Sequence, residues 1–531
     1  MKLAVSSMIS DIDGFSYNSL GVSPVELMGR SGDAVAAAVR EAVPAGSTVA
    51  VLAGGGNNGG DGYAAALRLL PDYSVTVYDI FHLGQRSEEG KHYLEAFRAA
   101  GGVIKDFTAD DKTLGEIKAS AAAVDAIFGT GFHNDGISED VKKLAIALRE
   151  AVGLHKIAVD VPLGIDADNG SITDFAVSAE TTVALCFIKP GIVSYPARSY
   201  VGRIVYDDLG LPRDRITSRF DFRYHLVTDL FADEHLPKRK NNTSKGSFGR
   251  LLLITGSERF QGAAALSAEA ALRGGGGYVT YAGTETMCAR LGQRFPEIIY
   301  KKISDTDSMS AEEREELTAL SASQDATLIG CGSGFGDGLR ALVLSLLATP
   351  GGVLVLDADA INCLADGDRA AGLAAIASSP RRVILTPHPL EFSRISGIDV
   401  AEVQLHRIEY AEKFAAENHC ILMLKGASTL TTDGNTVYIN STGSSSLAKA
   451  GSGDVLAGFV AALAAQTEDK LLACALAAFY HGQAGDRLAK KFSSYGVTPS
   501  DLPREIAVCM AESEARDVRE GEMWIHRRVF P

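Results

Sequence analysis

The sequence predicts two α/β domains, each with a mainly parallel β-sheet covered by helices. Strand-like apolar segments alternate with helix-like segments in the first half, and the alternation restarts at Arg250. At 531 residues the chain is also too long for one ordinary hydrophobic core. A Gly-Leu-Pro break followed by charged residues places the expected boundary at residues 212–226.

The elements of the first domain follow in chain order. We expect a helix at 33–43, a strand at 47–52, a helix at 64–70, and further strands at 75–78, 122–127 and 156–161. Strands connected through helices run parallel, and ligands bind beyond the carboxyl ends of such strands. Residues at those ends are therefore the candidates for a site.

The second domain restarts the same pattern. Strands are expected at 251–255, 278–281, 326–329, 353–356, 383–385 and 421–424, and helices at 263–273, 455–465 and 470–488. We predict domains at 1–215 and 226–505. Residues 506–531, which are charged and include the only tryptophan, Trp524, are expected to be a tail.

The charge and the cysteine content indicate which partners and which compartment to expect. The net charge of −15 argues against a nucleic-acid partner and against binding to an anionic membrane. The seven cysteines are scattered and show no paired spacing, which favours free thiols in a cytoplasmic protein. Whether the chain forms a homo-oligomer stays open.

A glycine-rich turn at residues 54–62 follows the first predicted strand and opens a helix. Glycines let backbone N–H groups approach an anion, but turn formation alone does not require Asn57, Asn58 and Asp61. Asparagine oxygens can bind a hard cation or a ribose. The candidate residues of this turn are Asn57, Asn58, Gly59, Gly60 and Asp61.

Other polar residues end neighbouring strands of the same predicted sheet. Asp125 precedes the Gly129-Thr130-Gly131 turn, and Asp160 lies near the end of the strand at 156–161. Asp125 taken alone could equally be a helix cap. An aspartate at the end of a buried strand can have a raised pKa and act as an acid or base, which makes Asp160 a candidate catalytic residue.

The first half resembles the YjeF N-terminal family, the NAD(P)H-hydrate epimerases, at residues 56–62, 124–131, 159–170 and 189–191. The resemblance implies a Rossmann-like three-layer domain that binds NADHX and NADPHX, with Asp160 promoting interconversion of the R and S hydrates at C6 of the nicotinamide ring. It also implies K⁺ near Asn58 and Asp125, with Leu163 as a third ligand. The family usually has Ser or Thr at the position of Leu163, and Arg30 stands in a stretch where the family has Met-Glu-Asn-Ala-Gly.

A second glycine turn, Ala450-Gly451-Ser452-Gly453, precedes Asp454 and an apolar helix-like run. The backbone amides of residues 451–453 would form an anion hole at the helix N-terminus. Asp454 beside them could take a proton from a hydroxyl, as phosphoryl transfer to an alcohol requires. An ordinary helix-capping aspartate after a flexible loop is the structural alternative.

The second half resembles the YjeF C-terminal family, the ADP- or ATP-dependent NAD(P)H-hydrate dehydratases with a ribokinase-like α/β fold. Matching stretches include residues 244–246, 357–360, 386–391, 425–429 and 481–485. The resemblance implies hydrate contacts at Ala263, Gly334, His388 and Asp454, and nucleotide contacts at Lys425, Gly426, Ala427 and the loop 450–453, with Mg²⁺ bound alongside the ADP or ATP.

The loop before the second glycine turn differs from the family pattern. Ser444–Ser446 and Lys449 stand where the family commonly has parts of an Asn-Pro-Gly-Met-Ala-Thr stretch. We expect a less rigid loop and an added charge near the nucleotide phosphates. Two rival interpretations remain. One is a ribokinase-like small-molecule kinase, and the other is a dehydratase whose N-terminal domain is a degenerate, non-catalytic binding module.

Overall fold

The computed structural model describes residues 1–81, 86–132 and 137–516, together with the backbone of residues 527–530. The chain divides into two units between Tyr224 and His225. Both units are α/β with largely parallel sheets, which confirms the predicted fold class. None of the helices in the described ranges combines the length and apolar character needed to span a bilayer.

The N-terminal unit contains strands β1 to β8, helices α1 to α7 and the first residue of β9. In chain order they are β1 (Lys2–Leu3), α1 (Ser6–Phe15), α2 (Pro24–Ala42), β2 (Thr48–Ala53), α3 (Asn57–Leu69), β3 (Ser74–Asp79), α4 (Glu88–Ala99), β4 (Val103–Asp106), α5 (Asp111–Lys118), β5 (Ala122–Ala126), α6 (Glu139–Glu150), β6 (His155–Val159), β7 (Thr181–Leu185), β8 (Arg203–Asp207), α7 (Arg213–Arg219) and β9 (Tyr224–Val227), the last of which crosses the boundary.

The remaining elements follow from residue 229. They are α8 (Asp229–His235), β10 (Arg250–Ile254), α9 (Gln261–Arg273), β11 (Tyr278–Gly283), α10 (Glu285–Arg294), β12 (Ile299–Lys302), α11 (Ala311–Ala322), β13 (Ala326–Ile329), α12 (Asp337–Ala348), β14 (Val353–Leu356), α13 (Asp359–Ala365), α14 (Arg369–Ala377), β15 (Val383–Leu385), α15 (Pro389–Ser396), α16 (Val400–Leu405), α17 (Arg407–Glu417), β16 (Ile421–Leu424), β17 (Leu430–Thr432), β18 (Val437–Asn440), α18 (Ser452–Gln466), α19 (Lys470–Gly496), α20 (Leu502–Ala515) and β19 (Arg527–Phe530).

The sheet of the N-terminal unit has the strand order β19-β8-β7-β6-β5-β2-β3-β4. The pairings from β8 to β4 are parallel, and β19 adds to β8 in the antiparallel direction. The carboxyl ends of β2, β5 and β6 are therefore neighbours at one edge. The first glycine turn and both predicted aspartates lie at this edge.

The C-terminal unit has the strand order β9-β18-β17-β16-β15-β14-β13-β10-β11-β12. The strands from β16 to β12 pair in parallel, whereas β16, β17 and β18 form antiparallel pairs. The carboxyl ends of β10, β13, β14, β15 and β16 consequently meet at one edge. Each is followed by a loop that carries a predicted site residue or its neighbour.

Helix α18 packs deep in the C-terminal core, and its residues from Val455 to Ala464 are buried. A Cβ atom on Gly458 would lie only 2.2 Å from the Ser267 carbonyl oxygen, so α9 and α18 touch through their backbones. Helix α20 includes residues 506–515 of the segment assigned above to a tail, and its Ile506 and Cys509 are buried. Trp524 lies outside the described residues.

Candidate active sites

The first glycine turn joins β2 to α3 by close backbone contacts. A Cβ atom on Gly54 would lie 1.9 Å from the Ile127 carbonyl oxygen, and one on Gly59 would lie 2.0 Å from the Gly54 carbonyl oxygen. Only glycine leaves room for these approaches. The turn therefore fixes the start of α3 against the loop that follows β5, and it brings Asn57 and Asn58 to that loop.

Asp160 has a left-handed backbone conformation, with φ at 68°, at the end of β6. Non-glycine residues rarely adopt this region, and strain of this kind concentrates at functional sites. The Asp160 carboxylate accepts hydrogen bonds from the buried Lys189 ammonium and from the Leu185 N–H. Lys189 also donates to the Leu185 carbonyl oxygen at 2.9 Å. The chain thus aims one carboxylate at a fixed position and pairs it with a buried cation.

A cavity of about 490 Å³ opens in front of this pair. Most of the predicted epimerase residues line it, namely Asn57, Asn58, Asp61, Gly129, Thr130, Gly131 and Asp160. Gly59 and Gly60 do not line the cavity and are buried in α3. The structure therefore brings together residues from three separate strand ends, as the parallel sheet predicts.

Asp125, Asn58 and Leu163 are the predicted K⁺ ligands. Asp125 is buried and accepts hydrogen bonds from the Leu163 N–H at 2.8 Å and the Ile127 N–H at 3.3 Å. Burial raises its pKa to about 6 despite these two bonds. Asn58 donates to the Phe128 carbonyl oxygen, so its own side-chain oxygen faces away from that bond. The Leu163 carbonyl oxygen already accepts from the Val177 N–H at 2.9 Å.

The departure at Arg30 has a structural explanation. The Arg30 guanidinium donates to the Leu209 carbonyl oxygen at 2.7 Å and to Glu26 at 2.6 Å. It therefore ties α2 to the loop after β8. Its neighbours Met28 and Ser31 line the cavity.

Sequence reasoning missed three charged residues of this cavity, Lys189, Asp13 and Glu89. Lys189 belongs to a Lys-Pro-Gly stretch that matched the family, but it lies 29 residues from Asp160, and only the fold pairs them. Asp13 lies on α1, outside any motif, and it lines the cavity together with Tyr17 of the following turn. The acidic residues that interrupt an otherwise apolar N-terminus were the available signal.

The second glycine turn begins α18. Gly451, with φ at 100°, is the N-cap residue, and Ser452, Gly453 and Asp454 form the first turn of the helix. The first N–H groups of a helix have no partner within it and point toward the N-terminal end. The turn thus has the form of an anion hole with Asp454 at its side.

The Lys425 ammonium stands next to this turn. It donates to Asp357 Oδ1 at 2.7 Å, and a Cβ atom built on Gly453 would lie 3.4 Å from the Lys425 nitrogen. Asp357 also accepts from the Thr386 hydroxyl at 2.7 Å. The structure therefore unites the ends of β14, β15 and β16 with the start of α18. Gly426 and Ala427 follow as exposed residues.

Asp454 lies in an acidic, half-buried setting. Burial and then the nearby Asp357 raise its pKa to about 6, while Lys425 acts in the opposite direction. The Cys331 thiol donates to Asp357 at 3.3 Å. Burial raises the pKa of the Cys331 thiol well above its usual range. One ligand atom from each of Cys331, Asp357 and Asp454 lies within 4.8 Å of the others.

Ala263 lies at the start of α9, and Gly334 lies in the loop after β13. Ala263 is buried, and a Cβ on Gly332 would lie 2.9 Å from the Ala263 side chain, so the loops after β10 and β13 pack together. The Gly334 N–H donates to Asp359 at 3.1 Å. Ala358, with φ at 46°, is another strained residue and stands directly before Asp359.

The two histidines have different settings. The His388 ring caps α15, because its Nδ1 accepts from the N–H groups of Leu390 and Glu391. Its Nε2 lies 3.3 Å from Glu391, and burial lowers its pKa. His481 is buried on α19, and its Nε2 lies 3.2 Å from the Ser452 hydroxyl.

Lys449 does not point toward the glycine turn. Its ammonium donates to the carbonyl oxygens of Tyr495 and Val497, near the end of α19. The altered loop before it forms a short 3₁₀ turn at Ser445–Leu447, and Ser446 donates to the Gly485 carbonyl oxygen. The charge expected near the phosphates instead joins the loop to the segment that follows α19.

Comparisons with known proteins agree with this division into two sites. A family model described as YjeF-related protein N-terminus matches residues 24–191, and one described as NAD(P)H-hydrate dehydratase matches residues 251–507. The bifunctional NAD(P)H-hydrate repair enzyme Nnr of Moorella thermoacetica is 32% identical over 519 residues, covering 94% of this chain and 95% of that protein. The enzyme of the same name from Escherichia coli is 30% identical over 488 residues, with 91% and 89% covered.

A solved structure is also similar to part of the chain. The ADP/ATP-dependent NAD(P)H-hydrate dehydratase of Bacillus subtilis, co-crystallised with ATP and Mg²⁺, is 27% identical and has a TM-score of 0.47. The similarity covers 54% of this chain and 98% of that one.

Proposed function

The chain belongs to the family of bifunctional NAD(P)H-hydrate repair enzymes, and we propose from this premise how its residues divide the repair. It is an NAD(P)H-hydrate epimerase and an NAD(P)H-hydrate dehydratase in one polypeptide. The N-terminal unit interconverts the R and S hydrates of NADH and NADPH. The C-terminal unit removes water from the S hydrate at the expense of ADP or ATP. The observation that carries the proposal is the meeting of Asp454, Lys425 and the glycine turn at one sheet edge.

Asp160 is the proposed acid–base residue of the epimerase. Its strained backbone and its bonds to Lys189 and Leu185 hold the carboxylate in place before substrate arrives, which lowers the cost of reaching a reactive geometry. Asn57, Asn58, Gly59, Gly60 and Asp61 and the 129–131 turn would bind the hydrated dinucleotide. Lys189 joins this set as the residue that holds the Asp160 carboxylate through a charge-assisted hydrogen bond.

The residues predicted for K⁺ fit such an ion through their oxygens. Asp125 is a buried carboxylate that accepts from two neutral N–H groups, so a bound cation would compensate its charge. The Asn58 side-chain oxygen can join it. Leu163 offers only the second lone pair of a carbonyl already bonded to Val177, and its hydrocarbon side chain replaces the hydroxyl usual in the family. When bound, K⁺ would order the glycine turn for the substrate.

Asp454 is the proposed base of the dehydratase. It would take the proton of the 6-hydroxyl as that oxygen attacks the terminal phosphorus of the nucleotide. The N–H groups at residues 451–453 and the Lys425 ammonium would stabilise the charge on the transferred group. Elimination of phosphate from the product then restores the reduced nicotinamide. Ala263, Gly334 and His388 line the hydrate side in this proposal.

Mg²⁺ is expected with the nucleotide. The carboxylates of Asp357 and Asp454 suit a hard cation, but a thiol such as Cys331 is a poor Mg²⁺ ligand, and Lys425 already occupies one Asp357 oxygen. The ion would therefore be held largely by phosphate oxygens and water. We further propose a cytoplasmic location; the choice between ADP and ATP is left to experiment.

The decisive experiment incubates the full chain with a mixture of R- and S-NADHX and either ADP or ATP, and follows the absorbance of restored NADH. Complete restoration is expected with at least one donor. Restoration that stops at the S fraction would show an inactive epimerase. A stable phosphorylated product without NADH would instead identify a kinase, and no reaction with either donor would contradict the proposed function.

A further inference from the structure

The cavity of the N-terminal unit contains more carboxylic acids than the proposed chemistry has used. Asp13 enters it from α1, a helix that precedes the matched family region at residues 24–191. Ile9, Asp13 and Tyr17 are spaced four residues apart, so they face the same side, and all three line the cavity. Helix α1 therefore forms one wall of the site.

Helix α1 is fixed at its beginning and at its end. The Ser6 N–H and hydroxyl both donate to Asp168, at 2.7 and 2.8 Å, and the Ala4 N–H donates to the Ile188 carbonyl oxygen at 3.1 Å. The turn after the helix ends at Gly21 with φ at 74°, and the Ser16 hydroxyl donates to the Ile12 carbonyl oxygen. Because Ile188 precedes Lys189, these bonds set Asp13 relative to the Lys189–Asp160 pair.

Several charged or titratable groups share the space around Asp13. They are Tyr17, Asp61, Glu89, Asp160, Cys186 and Lys189. Lys189 is the single cation in this set, and it is already bonded to Asp160. Burial and then the neighbouring Asp160 raise the pKa of Asp61 well above its usual range. Burial raises the pKa of Asp13 to about 6, with Asp160 and Glu89 adding to the rise and Lys189 opposing it.

Epimerisation needs two proton-handling groups. Inversion at C6 requires a hydroxyl to leave from one face of the ring and water to add to the other face. A protonated carboxyl group can donate the proton for the first step, and a carboxylate can accept the proton in the second. Asp160 comes from the end of β6 and Asp13 from α1, so the two lie on different walls of the cavity. Resting on the function proposed above, we propose that Asp13 is the second catalytic acid–base residue of the epimerase and the partner of Asp160.

The step balances without any further reactant. One carboxyl group gives its proton to the 6-hydroxyl as the C6–O bond breaks, water leaves with the bonding pair, and the N1 lone pair forms a C6–N1 double bond. Water then adds to the opposite face, the pair returns to N1, and the other carboxylate takes the proton lost by that water. Exchange through cavity water returns the proton, and the roles reverse for the opposite hydrate.

The test uses the full chain with R-NADHX and no nucleotide, so that dehydration does not run, and separates the R and S hydrates by chromatography. We expect Asp13→Asn to lower the epimerisation rate at least 100-fold and Asp13→Glu to retain part of the activity. Asp11→Asn removes an exposed carboxylate from the same helix, and this control should stay within about twofold of wild type. Dehydration of S-NADHX by Asp13→Asn should be unchanged.

Two further readouts separate chemistry from folding. The wild-type rate should show a limb with an apparent pKa near that of Asp13, and Asp13→Asn should lack it. In H₂¹⁸O each inversion should place label in the hydroxyl. Full activity in Asp13→Asn, an unchanged pH limb in that variant, or unlabelled product would overturn the proposal. Failure of wild type to epimerise at all would instead contradict the underlying function.

Discussion

Strained residues mark both sites at the scale of single residues. Asp160 and Cys186 have positive φ in the N-terminal cavity, and Ala358 has positive φ between the two aspartates of the C-terminal site. Each such residue costs about 1–3 kcal/mol. Asp160 and Ala358 follow β6 and β14 respectively, so the strain turns the chain sharply at the edge where ligands bind. The strain thus aims carboxylates that a relaxed strand end would direct elsewhere.

Asp454 should reduce stability while it serves catalysis. Its pKa, raised to about 6 from 3.8, means that the folded state binds more protons than the unfolded state between those values. The free energy of unfolding therefore falls as pH rises through this window, and the cost is complete above it. We expect Asp454→Asn to be about 1–2 kcal/mol more stable than wild type at pH 7.5, a value reduced for solvent screening.

The measurement is chemical unfolding of both proteins at pH 3.5 and pH 7.5. The stability difference should nearly vanish at the lower pH, and dehydratase activity should be lost in the variant. A wild-type protein that is the more stable of the two at pH 7.5 would contradict the raised pKa.

At the scale of elements, the sequence located only part of the strands, because it missed the parallel strands β4, β7, β8 and β12. The predicted strands at 326–329, 353–356, 383–385 and 421–424 match β13 to β16 residue for residue, because short apolar runs between turn residues leave few other choices. The antiparallel strands β17 and β18 were not predicted, since they have only three and four residues and β17 contains a single strongly apolar one. The capping role of His388 was not predicted either, because a capping hydrogen bond depends on local geometry.

Side-chain partners were less predictable than elements. Asp160 could be identified from its place at a strand end, but its partner Lys189 could not, because a tertiary contact over 29 residues leaves no local pattern. Lys449 shows the opposite case. Its position in the loop suggested a phosphate contact, whereas its long side chain reaches two carbonyl oxygens that only the folded end of α19 supplies.

Lys449 should hold the glycine turn and the end of α19 together. Gly451 packs near Pro499, with its virtual Cβ 3.4 Å from the Pro499 side chain, so the two segments already touch. We expect Lys449→Met to raise the KM for the nucleotide about 5-fold, through loss of two charge-assisted hydrogen bonds that order the anion hole, with a smaller change in kcat. Steady-state kinetics with the S hydrate measure both. Lys490→Met, an exposed lysine of α19, is the control, and equal effects in the two variants would contradict the role.

The contact between α9 and α18 should tolerate no side chain at Gly458. A methyl group there would meet the Ser267 carbonyl oxygen at 2.2 Å, and a backbone atom cannot move aside cheaply. We expect Gly458→Ala to lower the free energy of unfolding of the C-terminal unit by about 2–4 kcal/mol. Gly292→Ala, in α10, places its methyl 3.7 Å from Tyr300 and should be neutral or slightly stabilising. Thermal unfolding distinguishes them, and similar midpoints would argue against a tight contact.

At the scale of the whole molecule, each unit contains all of the reactive groups that we propose for its own reaction. The carboxylates, the cation and the glycine turn of the epimerase site all lie between Lys2 and Tyr224, and those of the dehydratase site all lie after His225. The S hydrate is the product of one site and the substrate of the other. The repair of the R hydrate therefore needs both sites, but no residue has to belong to both of them.

This separation predicts that the two activities can be supplied by different molecules. Asp160→Asn should abolish epimerisation and leave dehydration of S-NADHX intact, and Asp454→Asn should do the reverse, because each change removes a proton-handling group from one site only. An equal mixture of the two variants should then restore NADH from R-NADHX at about half the wild-type rate, since half of each kind of site remains and the S hydrate diffuses between molecules. The appearance of NADH, followed by absorbance, measures the rate. A mixture far slower than this, with each variant retaining its remaining activity, would show that the S hydrate passes between sites of one chain without release.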